Sequence, residues 1–142
     1  MRTTAVTIPM MTTSLRRVES GPASMGMRIL LVEDHVDTAA ALAELLGGMG
    51  HDVTVANTVS GALAAAARQD FDFVVSDIGL PDGTGHELMR ELVRCYHLRG
   101  VAVSGYGMEE DRRRSIAAGF FRHLTKPISI QQLRDALAWP PN

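Results

Sequence analysis

Five short apolar runs recur along the chain, each followed by a stretch with helical spacing, and this alternation restricts the fold more than any other feature. Ile29-Leu30-Leu31-Val32 is continuously apolar, the mark of a strand buried on both faces. Val53 and Val55 alternate with Asp52 and Thr54, as in a shorter strand nearer an edge. Residues 71–75, 101–103 and 120–124 supply three more strands. Between them the spacing predicts helices over 39–46, 62–67, 86–95, 109–118 and 129–138. Gly47-Gly48 with Gly50 supplies a stop for the first helix, and Ser60 is an expected N-cap for the Ala-rich second. The third carries Leu88, Leu92 and Cys95 on one face, the fourth is closed by Gly119, and residues 79–85 form a loop before the third. Strict alternation implies right-handed crossovers and a mostly parallel sheet covered on both faces, a doubly wound five-stranded α/β domain.

Composition limits what such a domain does. The 142 residues are enough for one compact domain with its own core, and 14 Lys+Arg against 16 Asp+Glu give a net charge of −2. That balance argues against a protein whose business is coating nucleic acid or an anionic membrane. No apolar run approaches a membrane span, and Cys95, the single cysteine, forms no intrachain disulfide, which suits a reducing, cytoplasmic setting. Residues 1–26 are rich in Thr, Ser and Met, carry Pro9 and Pro22 and show no period. They read as a disordered extension, or as the product of an upstream start with Met25 or Met27 as the true beginning. The ordered domain is expected over 27–139, with 140–142 as a tail.

In an open α/β sheet, ligands bind beyond the carboxyl ends of the strands. The residues just past each apolar run are therefore informative. Glu33 and Asp34 come after the first, Asp77 after Val74-Val75-Ser76, Ser104 after Val103, and Lys126-Pro127 after the last strand. Three carboxylates, a hydroxyl and an ammonium share one rim. Clustered carboxylates raise one another's pKa or recruit a cation, and hard oxygen donors suit Mg2+. A divalent cation with a fixed ammonium neutralises a transferring phosphoryl group. The nucleophile is then a carboxylate or the hydroxyl, since no Cys or His ends a strand.

Glu33-Asp34, Asp77 with Leu80-Pro81-Asp82-Gly83, Ser104-Gly105 and Lys126-Pro127, in this order at successive strand ends, resemble the receiver domain of two-component response regulators. The resemblance covers residues 27–138. It implies the flavodoxin-like strand order 2-1-3-4-5, Mg2+, and phosphotransfer from a histidine kinase or histidine phosphotransfer protein. Position by position it makes Asp77 the phospho-acceptor, Asp34 a direct Mg2+ ligand, and Glu33 an assistant ligand through water. It makes the backbone carbonyl of Gly79 a further ligand, Ser104 the switch hydroxyl, and Lys126 the partner of the phosphoryl oxygens. It also implies a cis peptide before Pro127 and a Tyr106 that shields the phosphoryl group. One position departs from the pattern: where the family usually has Tyr or Phe as its aromatic switch, this chain has His123. Imidazole can still rotate, and it also takes up charge near neutral pH, so a pH-sensitive switch is expected.

The remaining features have plainer readings. Glu33-Asp34 could cap the first helix as well. Arg112-Arg113-Arg114 reads as a solvated face offset by Glu109, Glu110 and Asp111, His35 as a solvent-facing loop residue, and Cys95 as a packing thiol. The expected function is a phosphorylation-dependent switch, not an enzyme, which signals through a separate downstream protein. No DNA-binding domain is expected within these residues. The stretch from Ser104-Gly105-Tyr106-Gly107 to Lys126-Pro127 also resembles receivers of hybrid histidine kinases. The alternatives are a scaffold that keeps the fold without phosphorylation and an Asp-nucleophile phosphohydrolase. The latter resembles an Asp-x-Asp pattern, which Asp77-Ile78-Gly79 does not reproduce.

Overall fold

A computed structural model describes residues 26–105 and 109–138. The elements in chain order are β1 (Arg28–Val32), α1 (Val36–Gly48), β2 (Asp52–Ala56), α2 (Val59–Arg68) and β3 (Phe73–Asp77). A two-residue antiparallel ribbon then pairs Gly79–Leu80 with Gly83–Thr84. After it come α3 (Gly85–Tyr96), β4 (Arg99–Ser104), α4 (Glu109–Ala118), β5 (Arg122–Thr125) and α5 (Ile130–Leu137). The main sheet is five-stranded in the order β2-β1-β3-β4-β5, and every pairing is parallel. The order reverses between β1 and β3, so a crevice opens beyond their carboxyl ends.

The two-residue period of the strands divides the core into two layers. Leu30 and Val32, Val74 and Ala102 face one layer with Ala62, Ala65, Leu88, Met89, Leu92 and Ala118 of α2, α3 and α4. Ile29, Leu31, Phe73, Val75, Val101 and Val103 face the other with Leu46 of α1 and Leu133 and Ala136 of α5. Each large side chain buried this way contributes roughly 1.5–3 kcal/mol. The same period settles the orientation of two polar residues. His123 is in register with Ala102, and Ser104 lies two residues beyond it, so both turn toward the α4 side.

Several local expectations are corrected. Helix α1 continues through Gly47 and Gly48 and is stopped by Gly50, whose φ of 98° lies in the left-handed region that favours glycine. Neither Glu33 nor Asp34 caps it: the N-cap is His35, with no side-chain bond. Helix α2 is capped by Thr58 and not by Ser60, through Thr58 Oγ1 accepting from the Gly61 amide at 2.9 Å. Asp82 adds a second cap from a distance, its two oxygens accepting from the Val59 and Ser60 amides at 2.7 and 3.0 Å. Strand β3 extends to Asp77, so the acceptor candidate is the last strand residue and not the first of a loop. Cys95 is exposed, because the buried stripe of α3 runs from Gly85 to Leu92 and ends before it. Its thiol donates to Glu91 at 3.3 Å, and that bond holds the thiol in its protonated form.

Candidate functional site

The rim begins where β1 ends. The Glu33 amide still donates to Ala56 of β2 at 3.0 Å, which carries the chain one residue past the strand and turns the carboxylate inward to 2% exposure. A buried charge needs partners. Lys126 Nζ supplies one at 3.1 Å from Oε1, and the His35 amide another at 3.1 Å from Oε2. Burial pushes the Glu33 carboxyl up, but the His35 amide and the Lys126 ammonium outweigh it and hold the group below the usual carboxylate range.

Asp77 is held differently. Its Oδ1 accepts from the Ile78 amide at 2.9 Å, and its Oδ2 lies 3.4 Å from Lys126 Nζ, farther than Glu33 does. Burial and the neighbouring Glu33 charge raise its pKa, and the opposing pull of Lys126 does not cancel them. Asp77 therefore ionises at a greater cost than Glu33 and gains from another cation nearby. Lys126 loses some stability as a cation to burial, but Glu33 and Asp77 more than restore it. The start of α3 presses directly beneath this corner. A Cβ on Gly85 would lie 2.3 Å from the Asp77 carbonyl oxygen and 3.1 Å from Ser76 Oγ, so only glycine lets helix and strand end approach this closely.

Glu33, Asp34 and His35 offer ligand atoms that all lie within 4.8 Å of one another. His35 Nδ1 is 3.3 Å from Glu33 Oε2 and 3.7 Å from Asp34 Oδ1, although its ring is mostly exposed. The carboxylate oxygens of Glu33 and Asp34, with Asp77 beside them, fit a hard divalent cation, whereas the His35 nitrogen is a softer donor. Gly79 lies on the ribbon, and a Cβ there would meet nothing within 4 Å, so a backbone carbonyl at this position does not require glycine.

Of the residues selected from sequence, Glu33, Lys126 and Asp77 form one bonded set, and Asp34 adjoins it through Glu33 and His35. Ser104 is tied to the set by backbone, its carbonyl accepting from the Lys126 amide at 2.8 Å. The Lys126–Pro127 peptide is cis. The Ser104 side chain meets His123: Oγ and Nε2 are 2.9 Å apart, and both residues are buried. His123 Nδ1 is 2.8 Å from Ser115 Oγ on α4, and Ser115 Oγ is 3.1 Å from His86 Nε2 on α3. Sequence reading missed Ser115 and His86 altogether and set His35 aside. Tyr106 lies outside the described residues. Beside the rim, Asp37, Ala41 and Leu42 of α1 with Lys126, Pro127 and Ile128 line an open, largely apolar groove of about 630 Å³.

Comparison with known proteins places this geometry in context. Residues 29–138 match the family model of the response regulator receiver domain. An uncharacterized 14.6 kDa protein of Leptolyngbya boryana is 36% identical over 124 residues, covering 82% of this chain and 95% of that protein. The response regulator protein PilR of Pseudomonas aeruginosa is 33% identical over 112 residues; the match covers 78% of this chain but 25% of PilR. A solved CheY-like receiver domain protein from Methanospirillum hungatei superposes with a TM-score of 0.72 at 28% identity, covering 76% of this chain and 87% of that one. Among the described residues, no helix is long and apolar enough to cross a membrane.

Proposed function

Because the chain belongs to the response regulator receiver domain family, we propose that its domain over 27–139 is a phosphorylation-dependent switch of a two-component or phosphorelay system, with Asp77 as the acceptor. The observation that carries this reading is the position of Asp77: it ends the central strand β3, held against Lys126 and raised in pKa by burial and by Glu33. In the transfer, an Asp77 carboxylate oxygen forms the bond to phosphorus as the donor's phosphorus–nitrogen bond breaks, and the donor imidazole leaves neutral after taking up a proton. Lys126, already poised between Glu33 and Asp77, moves its positive charge toward the new phosphoryl oxygens. Glu33, Asp34, Asp77 and the Gly79 carbonyl are the groups that would hold Mg2+, which supplies charge neutralisation for the phosphoryl group when bound. Ser104 turns its hydroxyl proton to the phosphoryl group.

The phosphodonor in this reading is a histidine kinase or a phosphotransfer protein. The apolar groove between α1 and the Lys126-Pro127-Ile128 segment offers it a surface beside the acceptor. The output is binding to a separate downstream protein after a shift between two conformations. Because the phosphoryl group stays on the domain as a signal, the protein is a switch and not an enzyme acting on an external substrate, and it works in the cytoplasm.

The test is to treat the protein with acetyl phosphate and Mg2+, trap the acyl phosphate with borohydride and map the modified peptide. Reduction at Asp77 supports the proposal. Modification elsewhere, or sustained turnover of a general phosphomonoester, contradicts it.

A further inference from the structure

The buried line Ser104, His123, Ser115 and His86 spans β4, β5, α4 and α3, at contacts of 2.9, 2.8 and 3.1 Å. Ser115 is fully buried, and the other three residues are 9% exposed or less. Each hydroxyl has one proton, and each neutral imidazole has one N–H and one bare nitrogen. Such a line can therefore run in two directions. In the first, Ser104 donates to His123 Nε2, His123 Nδ1–H donates to Ser115, and Ser115 donates to His86 Nε2. In the second, every bond reverses: His86 Nε2–H donates to Ser115, Ser115 to His123 Nδ1, and His123 Nε2–H to Ser104.

We propose that Ser115 and His86 are positioning residues of the switch, which act through His123 to set the direction of the Ser104 hydroxyl, and that phosphorylation of Asp77 locks the second direction. A phosphoryl oxygen only accepts, so Ser104 must donate to it. The bond from His123 to Ser104 then needs a proton on Nε2, which leaves Nδ1 bare. Ser115 must donate to that bare nitrogen, and its oxygen then accepts from His86 Nε2–H. Each step favours the next, and the acceptor's state is carried into the tautomer of a histidine on α3.

The surroundings of His86 favour its neutral ring. Burial lowers the pKa of His86, as do Arg90 on its own helix, His123 and Arg114, against a smaller opposing pull from Asp111. Around the line itself, Arg112 Nη1 donates to the His123 carbonyl at 3.4 Å, and Glu110 faces Arg113 and Arg114.

This proposal rests on the acceptor role of Asp77, and the experiment separates the two. Protein labelled with 15N at its 5 histidines is phosphorylated with acetyl phosphate and Mg2+. The adduct is counted by intact mass, and imidazole tautomers are read from long-range 1H–15N spectra of the same sample. His86→Gln and His123→Phe assign the rings. The expected result is that both His123 and His86 shift toward Nε2–H on phosphorylation. In Ser115→Ala the His123 shift persists while that of His86 is lost, and Ser115→Thr, which keeps the hydroxyl, restores it. His123→Phe also abolishes the His86 shift, so the result does not depend on one variant folding. An adduct with unchanged tautomers in the wild type, or an undiminished His86 shift in Ser115→Ala or His123→Phe, overturns the relay alone. The absence of any adduct overturns the acceptor role and the relay with it.

Discussion

The rim and the buried line meet at the backbone bond between Lys126 and Ser104, yet they are held together by opposite means. On the rim, two carboxylates share one ammonium, and the balance is unequal: Glu33 is stabilised as an anion while Asp77 is not. Along Ser104, His123, Ser115 and His86, the contacts join hydroxyls and imidazoles, groups that can exchange donor and acceptor roles without changing charge. The rim is thus suited to attract a cation and a phosphoryl group, whereas the line is suited to report on them without the cost of a buried charge.

Breaking the rim at its shared cation gives the largest expected effect. Lys126→Ala should slow adduct formation from acetyl phosphate by about 10²–10³-fold, the usual loss when a preorganised electrostatic partner is removed. Circular dichroism should still show a folded protein, because Glu33 keeps its bond from the His35 amide. A rate within threefold of wild type would mean that Lys126 does not serve the phosphoryl group.

Breaking the line should instead move stability. Ser115→Ala leaves buried imidazole nitrogens of His123 and His86 without this partner, a cost of about 1–3 kcal/mol. In a domain of this size each kcal/mol lowers Tm by roughly 3–5 °C. The adduct on Asp77 should still form. A Tm within a degree of wild type would show that the hydroxyl is dispensable to the two rings.

The two regions were unequally legible in the sequence, for physical reasons. Apolar runs mark strands buried on both faces, and in this topology their ends must converge. Glu33, Asp34, Asp77, Ser104 and Lys126 could therefore be gathered onto one rim from spacing alone. The family resemblance singled out His123, but only as a substitution at a known position. Ser115 and His86 left no such mark. Ser115 follows three arginines on a helix that reads as solvated, and Ser115 and Ala118 are the residues it buries. His86 precedes Glu87, whose capping role with Thr84 makes the segment look like an ordinary polar helix start. Their pairing depends on α3 and α4 packing side by side against the sheet. Cys95 failed for the complementary reason: helical spacing gives the direction of a buried face but not where the layer beneath it stops.

Two smaller effects sharpen the comparison. Asp77 ionises at a cost in the folded state, so Asp77→Asn should raise Tm by a few degrees at neutral pH. The sign comes from linkage: a carboxyl whose pKa is raised by folding weakens the fold above its folded pKa, and the penalty disappears below about pH 3.9, the unfolded value. The gain should therefore shrink as thermal melts are taken toward pH 4, and Mg2+ should narrow it at pH 7. An unchanged or lower Tm in Asp77→Asn at neutral pH would contradict a strained acceptor.

His86 has the opposite dependence. Burial lowers its pKa, so the unfolded chain binds the proton more readily, and stability should decline as pH falls from about 6.5 toward the lowered folded value. His51 contributes with the same sign, because burial lowers its pKa as well and its Nδ1 accepts from the Met27 amide at 3.0 Å. Denaturant melts of His86→Gln should show a shallower decline than wild type over that window, the smallest effect expected here. An equal slope would place the sensitivity elsewhere.

The central claim is that the strained carboxylate at the end of β3 accepts a phosphoryl group. Intact mass after incubation with acetyl phosphate and Mg2+, for wild type and Asp77→Asn side by side, tests it most directly. The predicted result is a single phosphoryl adduct on the wild type, lost when the metal is chelated beforehand and absent from Asp77→Asn. No adduct on the wild type, or an equal one on Asp77→Asn, would contradict it.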